Sequence, residues 1–286
     1  MTSEGFELAL RSGRLHAERR GPPGGALALC VPGLSANLRS FDAIAGSLAQ
    51  EPGRRAVALD LRGRGLSAIT AEGTYGWRSH AADVLESATA LGAEQFDLIG
   101  HSMGAFVSMQ AAALSPSRVR RLVIIDGAGV PEPAVIPPIL AAVQRLEQTY
   151  PSADAYLAGV RERGTAVPWE FWEGHYRYDL LPDGAGVRPR TSKAAVLEDA
   201  VYGSRQDASQ LWKELSMPVL LLRASLPFVP GDAAGSVVGV ALRDAFLDAV
   251  PSGRSVEVPA NHYGIMAHER SLAAIAAFLR GAPLPD

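Results

Sequence analysis

Cysteine is nearly absent from this chain: Cys30 stands alone among 286 residues. A single thiol excludes an intrachain disulfide and fits a reducing compartment. No apolar run approaches the about 20 residues that a membrane-spanning helix needs. The opening MTSEGFELALRSGR is charged and mixed, without the apolar stretch of a secretion signal. Basic residues are in no excess, 27 Lys and Arg against 30 Asp and Glu, so nothing advertises nucleic acid or an anionic membrane as a partner. His, Cys, Asp and Glu nowhere take metal-ligand spacing, and no glycine-rich phosphate loop follows a strand. The expectation is a cytoplasmic globular protein that works without metal or cofactor and binds neither nucleic acid nor membrane. Oligomeric state stays open.

What the chain does have is alternation. FELAL and RLHAER, residues 6–10 and 14–19, flank Ser12-Gly13 and predict an antiparallel hairpin. GALALCVPG, RAVALDLRG, FDLIG and VRRLVIID read as short buried strands, separated by helical stretches such as SFDAIAGSLAQ, SHAADVLESATALG and SMGAFVSMQAAALSP. Strand and helix in turn predict βαβ units and a mostly parallel sheet. The rhythm breaks from Pro131 to about Ser216, where helical patterns hold most of the large aromatics and no strong strand shows. It returns with MPVLLLRA, ALRDAFLDAV, RSVEVPA and ERSLAAIAAFLRG. The chain therefore divides into a core of residues 1–130 and 214–286 and a helical insert of residues 131–213.

The sharpest local signal is Gly100-His101-Ser102-Met103-Gly104, between an apolar strand and an alanine-rich helix. A strand that turns into a helix within about two residues forces the central serine into a strained conformation and lifts its hydroxyl above the sheet. Glycines on either side remove side chains that would collide with the neighbouring elements. Serine needs a base. Of six histidines, His262 in VPANHYG follows the last apolar strand, in the loop returning to the carboxyl edge where open parallel sheets bind ligands. His268 reads as a surface or capping residue, His101 as aimed away from the Ser102 hydroxyl, and His175 as part of the insert. Two N–H donors must face the oxyanion: Met103, directly after the serine, and Leu34, in the loop that Gly33 allows to approach the site. Asp60 reads as the organiser of the Arg62–Gly65 turn, and Arg62 and Arg64 as turn-bracing or solvated.

VPGLSAN, DLRGRGLS, GHSMG and the late NHYG together resemble the α/β-hydrolase superfamily over nearly the whole chain. The resemblance implies an eight-stranded, mostly parallel sheet, a helical cap after the sixth strand and no cofactor. It also exposes two departures. Pro32 stands where the family usually has a histidine before the oxyanion glycine. Ser225, Leu226 and Pro227 stand where the family's usual triad aspartate follows the seventh strand. Asp232 lies further along that loop. Asp126, closing RLVIID, matches a second placement, which resembles one branch of haloalkane dehalogenases and the zearalenone-type lactonases. The empty usual position favours Asp126 over Asp232.

VPWEFWEGHYRYDL, residues 167–180, concentrates aromatic side chains in the insert. Trp172 and Tyr176, one helical turn apart, together with Tyr263, Gly33 and Ser35, are the expected substrate contacts. The expected reaction is cleavage of an apolar carboxylic ester or lactone, a zearalenone-type macrolactone among them, through an acyl-enzyme. The alternatives are hydrolysis of a carbon–carbon bond in a diketone-like substrate, and a non-catalytic small-molecule receptor. Epoxide hydrolysis and dehalogenation fall away because those branches carry aspartate where Ser102 stands.

Overall fold

Leu27, Leu29 and Val31 face one apolar cluster, whereas Ala28 and Cys30 face another. The same split divides Leu122 and Ile124 from Val123 and Ile125, and Leu221 from Leu220 and Leu222. A strand can be apolar at every position only when both sheet faces are covered, and side-chain alternation then feeds two cores. The computed structural model describes residues 3–130, 136–229, 231 and 235–285.

The main sheet contains β1 (Glu4–Leu10), β2 (Gly13–Arg20), β3 (Ala26–Val31), β4 (Arg54–Leu59), β5 (Phe96–His101), β6 (Val119–Ile125), β9 (Val219–Ala224) and β10 (Gly253–Val258). Its eight strands lie in the order β1-β2-β4-β3-β5-β6-β9-β10. Only β2 runs against the rest, antiparallel to both β1 and β4. Helices α2 (Trp77–Ala90), α3 (Met103–Leu114) and α8 (Val240–Ala249) supply side chains to one core, and α1 (Asp42–Ala49) and α9 (Glu269–Arg280) to the other. Among the described residues no helix is long and apolar enough to cross a membrane.

Between β6 and β9 lie α4 (Ile136–Val143), α5 (Ala153–Arg161), α6 (Trp169–Tyr178) and α7 (Lys193–Ser204). This stretch is not purely helical as expected. A hairpin pairs β7 (Leu180–Asp183) with β8 (Gly186–Pro189), and Tyr150 bridges to Val187 beside it. The Asp183-Gly184 turn, with Gly184 at φ +59°, carries the hairpin; the aromatic density just before it masks that short signal. Tyr156, Trp172 and Tyr176 join the core on the α1/α9 side. The insertion is thus fused to the carboxyl edge by apolar burial.

Candidate active site

Steric demands at the β5–α3 turn explain its glycines. A Cβ at Gly104 would stand 2.0 Å from the Val31 carbonyl oxygen, and one at Gly100 would stand 2.1 Å from the Gly104 carbonyl oxygen. Ser102 sits at φ +55°, ψ −122°, a backbone state that costs an ordinary residue about 1–3 kcal/mol. Its N–H donates to the Ile125 carbonyl at 2.9 Å, locking the serine to the end of β6. α3 begins at Met103, so the Met103 N–H belongs to the first turn, which has no intrahelical acceptor. Gly33 lies over the serine, where a Cβ would come within 3.2 Å of Ser102 Cβ. The peptide leading into Leu34 therefore passes directly above the hydroxyl-bearing residue.

Asp126, one residue past β6, also has positive φ, +48°, and is fully buried. Its Oδ1 accepts the Ala224 N–H at 3.1 Å, and its Oδ2 accepts from His262 Nδ1 at 2.7 Å. A carboxylate can only accept, so Nδ1 carries the imidazole proton and Nε2 is the basic nitrogen. The loop holding His262 is pinned by Asn261. Its Oδ1 accepts the Gly264 N–H at 2.8 Å, and its Nδ2 donates to the Thr165 carbonyl at 2.9 Å. Among the described residues, no hydrogen bond joins the Ser102 hydroxyl to the His262 ring; such bonds tighten when substrate binds. Asp232 lies outside the described residues.

The remaining histidines sort by their partners. His268 caps α9 by accepting the Arg270 N–H, as expected. His101 does not simply point away: its ring packs against His262 with centroids 4.5 Å apart. Its Nε2 lies 3.0 Å from the His262 carbonyl, so Nε2 must hold the proton. Burial, then the neighbouring His262, push His101 well below the usual histidine range, and it stays neutral beside the base. His175 also sits near this edge. It is buried and held at about 3 by burial and the Arg145 charge.

A cavity of about 160 Å³ opens beside the histidine loop, lined by Arg145, Arg163, Thr165, Tyr176, Phe228 and Tyr263 among others. Phe228 connects it to the catalytic edge, its ring centroid 5.3 Å from that of His262. Tyr176 and Tyr263 line this cavity, whereas Trp172 packs against Tyr263 with ring centroids 5.2 Å apart, and neither it nor Gly33 or Ser35 lines this cavity. Arg145 is the residue that sequence reading missed. It is 4 % exposed, donates through Nε to the Tyr156 hydroxyl at 3.2 Å and lies 5.6 Å from the Tyr176 ring centre. Burial works against its charge, but Tyr156, Tyr176 and the more distant Asp179 outweigh it and raise its pKa. Among the described residues Arg145 makes no ion pair with a carboxylate. The only hint in the sequence is an arginine that follows the apolar helical stretch IPPILAAV by one residue.

Asp60, Arg62 and Arg64 lie in the turn after β4. Asp60 accepts the Leu38 and Leu66 N–H groups and the Tyr178 hydroxyl, at 2.8, 2.9 and 2.7 Å. Arg62 pairs with Asp83 at 2.6 Å and Arg64 with Asp199 at 2.6 Å, so both arginines are buried braces and neither is solvated.

The model of the α/β-hydrolase fold family matches residues 29–225. The chain is 30 % identical over 214 residues to 2-(acetamidomethylene)succinate hydrolase of Mesorhizobium japonicum, covering 74 % of each chain. It is 40 % identical over 92 residues to 2-hydroxymuconate semialdehyde hydrolase of Pseudomonas putida, covering 31 % of this chain and 32 % of that one. Among solved structures, an E-2-(acetamidomethylene)succinate hydrolase superposes with a TM-score of 0.87 at 26 % identity, covering 98 % of this chain and all of that one. With a strained serine at the elbow and a carboxylate-bound histidine on the same sheet edge, the chain belongs to the α/β-hydrolase fold family and is a hydrolase.

Proposed function

We propose that this chain is a serine hydrolase of small, carboxylate-bearing substrates, and that the bond it breaks joins an acyl carbon to carbon. The observation that carries the reading is Arg145, a buried guanidinium in the cavity beside His262 with no carboxylate partner among the described residues. A buried charge is stable only when paired or well hydrogen-bonded, and a planar guanidinium suits a carboxylate in bidentate fashion. Asp179 acts on it only from beyond ion-pair distance, so a substrate carboxylate would be its first direct anionic partner. The comparisons lean the same way: both relatives above are named for small unsaturated acids, which favours the diketone-like alternative over an apolar ester or lactone.

In this reading Ser102 Oγ attacks the carbonyl carbon as His262 Nε2 takes its proton. The tetrahedral oxyanion lies between the Leu34 and Met103 N–H groups. Collapse breaks the bond on the far side of the carbonyl, and its electron pair leaves as the enolate of the departing fragment. His262 returns the proton to that fragment. Water, deprotonated by His262, then releases the acyl group from Ser102. Asp126 holds the imidazole in the required tautomer and balances its positive charge. The stretch between β6 and β9 acts as the specificity cap.

A second reading has its own support. The name acetamidomethylene places an acyl carbon–nitrogen bond in the first relative's substrate, and the same serine chemistry would cleave it with nitrogen as the leaving atom. Product analysis by NMR separates the possibilities. The panel is a carboxylated vinylogous diketone, an N-acylaminomethylene acid, and an apolar ester and lactone, each run with wild type and Ser102→Ala. Turnover of the diketone acid that vanishes in Ser102→Ala supports the proposal. Turnover of the N-acyl acid alone moves the bond to nitrogen, and turnover confined to the apolar ester or lactone refutes the carboxylate reading.

A further inference from the structure

Leu34 is held from two sides by groups outside its own loop. Its carbonyl accepts two bonds from Arg64, from Nε at 3.0 Å and from Nη2 at 2.9 Å. Its side chain packs against Val143, Leu146 and Val196 of the insertion. Arg64 is fully buried, its Nη1 donates to the Arg62 carbonyl at 2.9 Å, and its Nη2 pairs with Asp199 Oδ2 at 2.6 Å. Asp199 belongs to α7, and also accepts the Gly76 N–H at 2.6 Å and faces His80 Nε2 at 2.9 Å. The amino end of α7 is seated on the same turn, because the Ser192 N–H donates to the Gly63 carbonyl at 2.9 Å. Burial alone would raise the Asp199 carboxyl, but Arg64 and His80 outweigh it and leave it at about 2, so the pair is ionised.

This buried ion pair ends on a single carbonyl of the serine-covering loop. Gly33 leaves that loop free to rotate, and Pro32 offers it no backbone donor. Fixing the Leu34 carbonyl restricts the backbone torsions on either side of its Cα and so sets the direction of the Leu34 N–H. We infer that Arg64 is a positioning residue for the oxyanion pocket, and that the Asp199–Arg64–Leu34 chain makes the rate of the chemical step depend on the seating of α7. This rests on Leu34 N–H being an oxyanion donor, as in the reading above.

The test uses the full chain and p-nitrophenyl hydrogen succinate, with Arg64→Lys, Asp199→Asn and Ser102→Ala. Lysine keeps the charge but cannot span the Leu34 carbonyl and Asp199 with the same fork. Losing a whole oxyanion donor costs about 10²–10³ in rate. Misplacing one should lower kcat about 10- to 100-fold in Arg64→Lys and Asp199→Asn, with KM changed less than about threefold. Affinity for a trifluoromethyl ketone, whose adduct on Ser102 bears the oxyanion, should fall in parallel, whereas affinity for succinate should not. A merely structural role predicts lower thermal stability with the kcat-to-KM balance and the ketone-to-succinate ratio unchanged, and that outcome overturns the inference. If Arg64→Lys does not fold, Asp199→Asn decides alone, because it keeps the side-chain volume and the Gly76 acceptor. Wild-type kcat in the folded variants with Ser102→Ala inactive refutes only this inference. Activity surviving in Ser102→Ala refutes the serine reading beneath it.

Discussion

Replacing Arg145 by methionine separates a substrate anchor from a structural brace. The side chain is 4 % exposed, so methionine keeps the stem's packing and deletes only the charged fork. The lost internal contacts are hydrogen bonds to the Tyr156 hydroxyl and the Ala142 carbonyl and a cation–π contact with Tyr176, together about 2–5 kcal/mol. Against this, the variant no longer desolvates a charge that makes no ion pair with a carboxylate among the described residues, which offsets much of that loss. Melting temperature should therefore stay close to that of wild type. Catalysis should not. Truncating one member of a desolvated charge pair costs about 2–5 kcal/mol, and each 1.4 kcal/mol is a factor of ten. The expected fall in kcat/KM for p-nitrophenyl hydrogen succinate is about 30- to 4,000-fold. The methyl ester of the same compound lacks the anion, and its kcat/KM should change less than about threefold. Initial rates on the two compounds and a thermal melt provide the whole assay. Equal losses on the acid and its methyl ester, or no loss on either, would rule out Arg145 as the anchor of a substrate carboxylate.

Three further outcomes follow from the geometry. In Asp126→Asn the amide oxygen stays on the Ala224 N–H, so the NH₂ faces His262 Nδ1 and drives the proton to the wrong nitrogen; kcat should drop about 10³- to 10⁴-fold in a folded protein, and a smaller loss than that produced by Asp232→Asn would reassign the acid. His175 is buried at about 3 against an unfolded value near 6.5, so below the latter the unfolded chain binds the extra proton and stability is lost as pH falls. At pH 5 that difference is about 2 kcal/mol, and urea unfolding at pH 7 and pH 5 should show His175→Gln losing that much less than wild type; identical pH dependence would discard the assignment. Gly104→Ala drives a methyl group to 2.0 Å from a backbone carbonyl of β3, and should destabilise by more than about 4 kcal/mol or prevent folding; a variant as stable as wild type in urea would show that the elbow can open.

Much of the site was legible because short-range rules govern it. GHSMG between a strand and a helix demands a strained serine whatever surrounds it, and NHYG after the last core strand delivers a histidine to the carboxyl edge. Asp126 was legible for a subtler reason. The chain lacks an aspartate in the first residues after β9, so the carboxylate closing β6 was the nearest one able to reach His262. The β7–β8 hairpin was missed because a two-stranded ribbon leaves only an Asp-Gly turn as its trace. Of the aromatic cluster at residues 167–180, Tyr176 lines the cavity beside the histidine loop, and Trp172 packs against Tyr263.

Apolar period and glycine sterics act over a few residues, so the alternation of strand and helix, the elbow with its nucleophile, and the chain order serine, acid, histidine can be read without the fold. The roles of the arginines cannot. Arg62, Arg64 and Arg145 look alike in a string of letters, and their charges acquire meaning from partners up to 135 residues away, as with Arg64 and Asp199. Burial sets the energy of such a charge, and burial is a property of the assembled fold: two of these arginines brace the turn after β4, while the third faces a cavity beside the histidine loop.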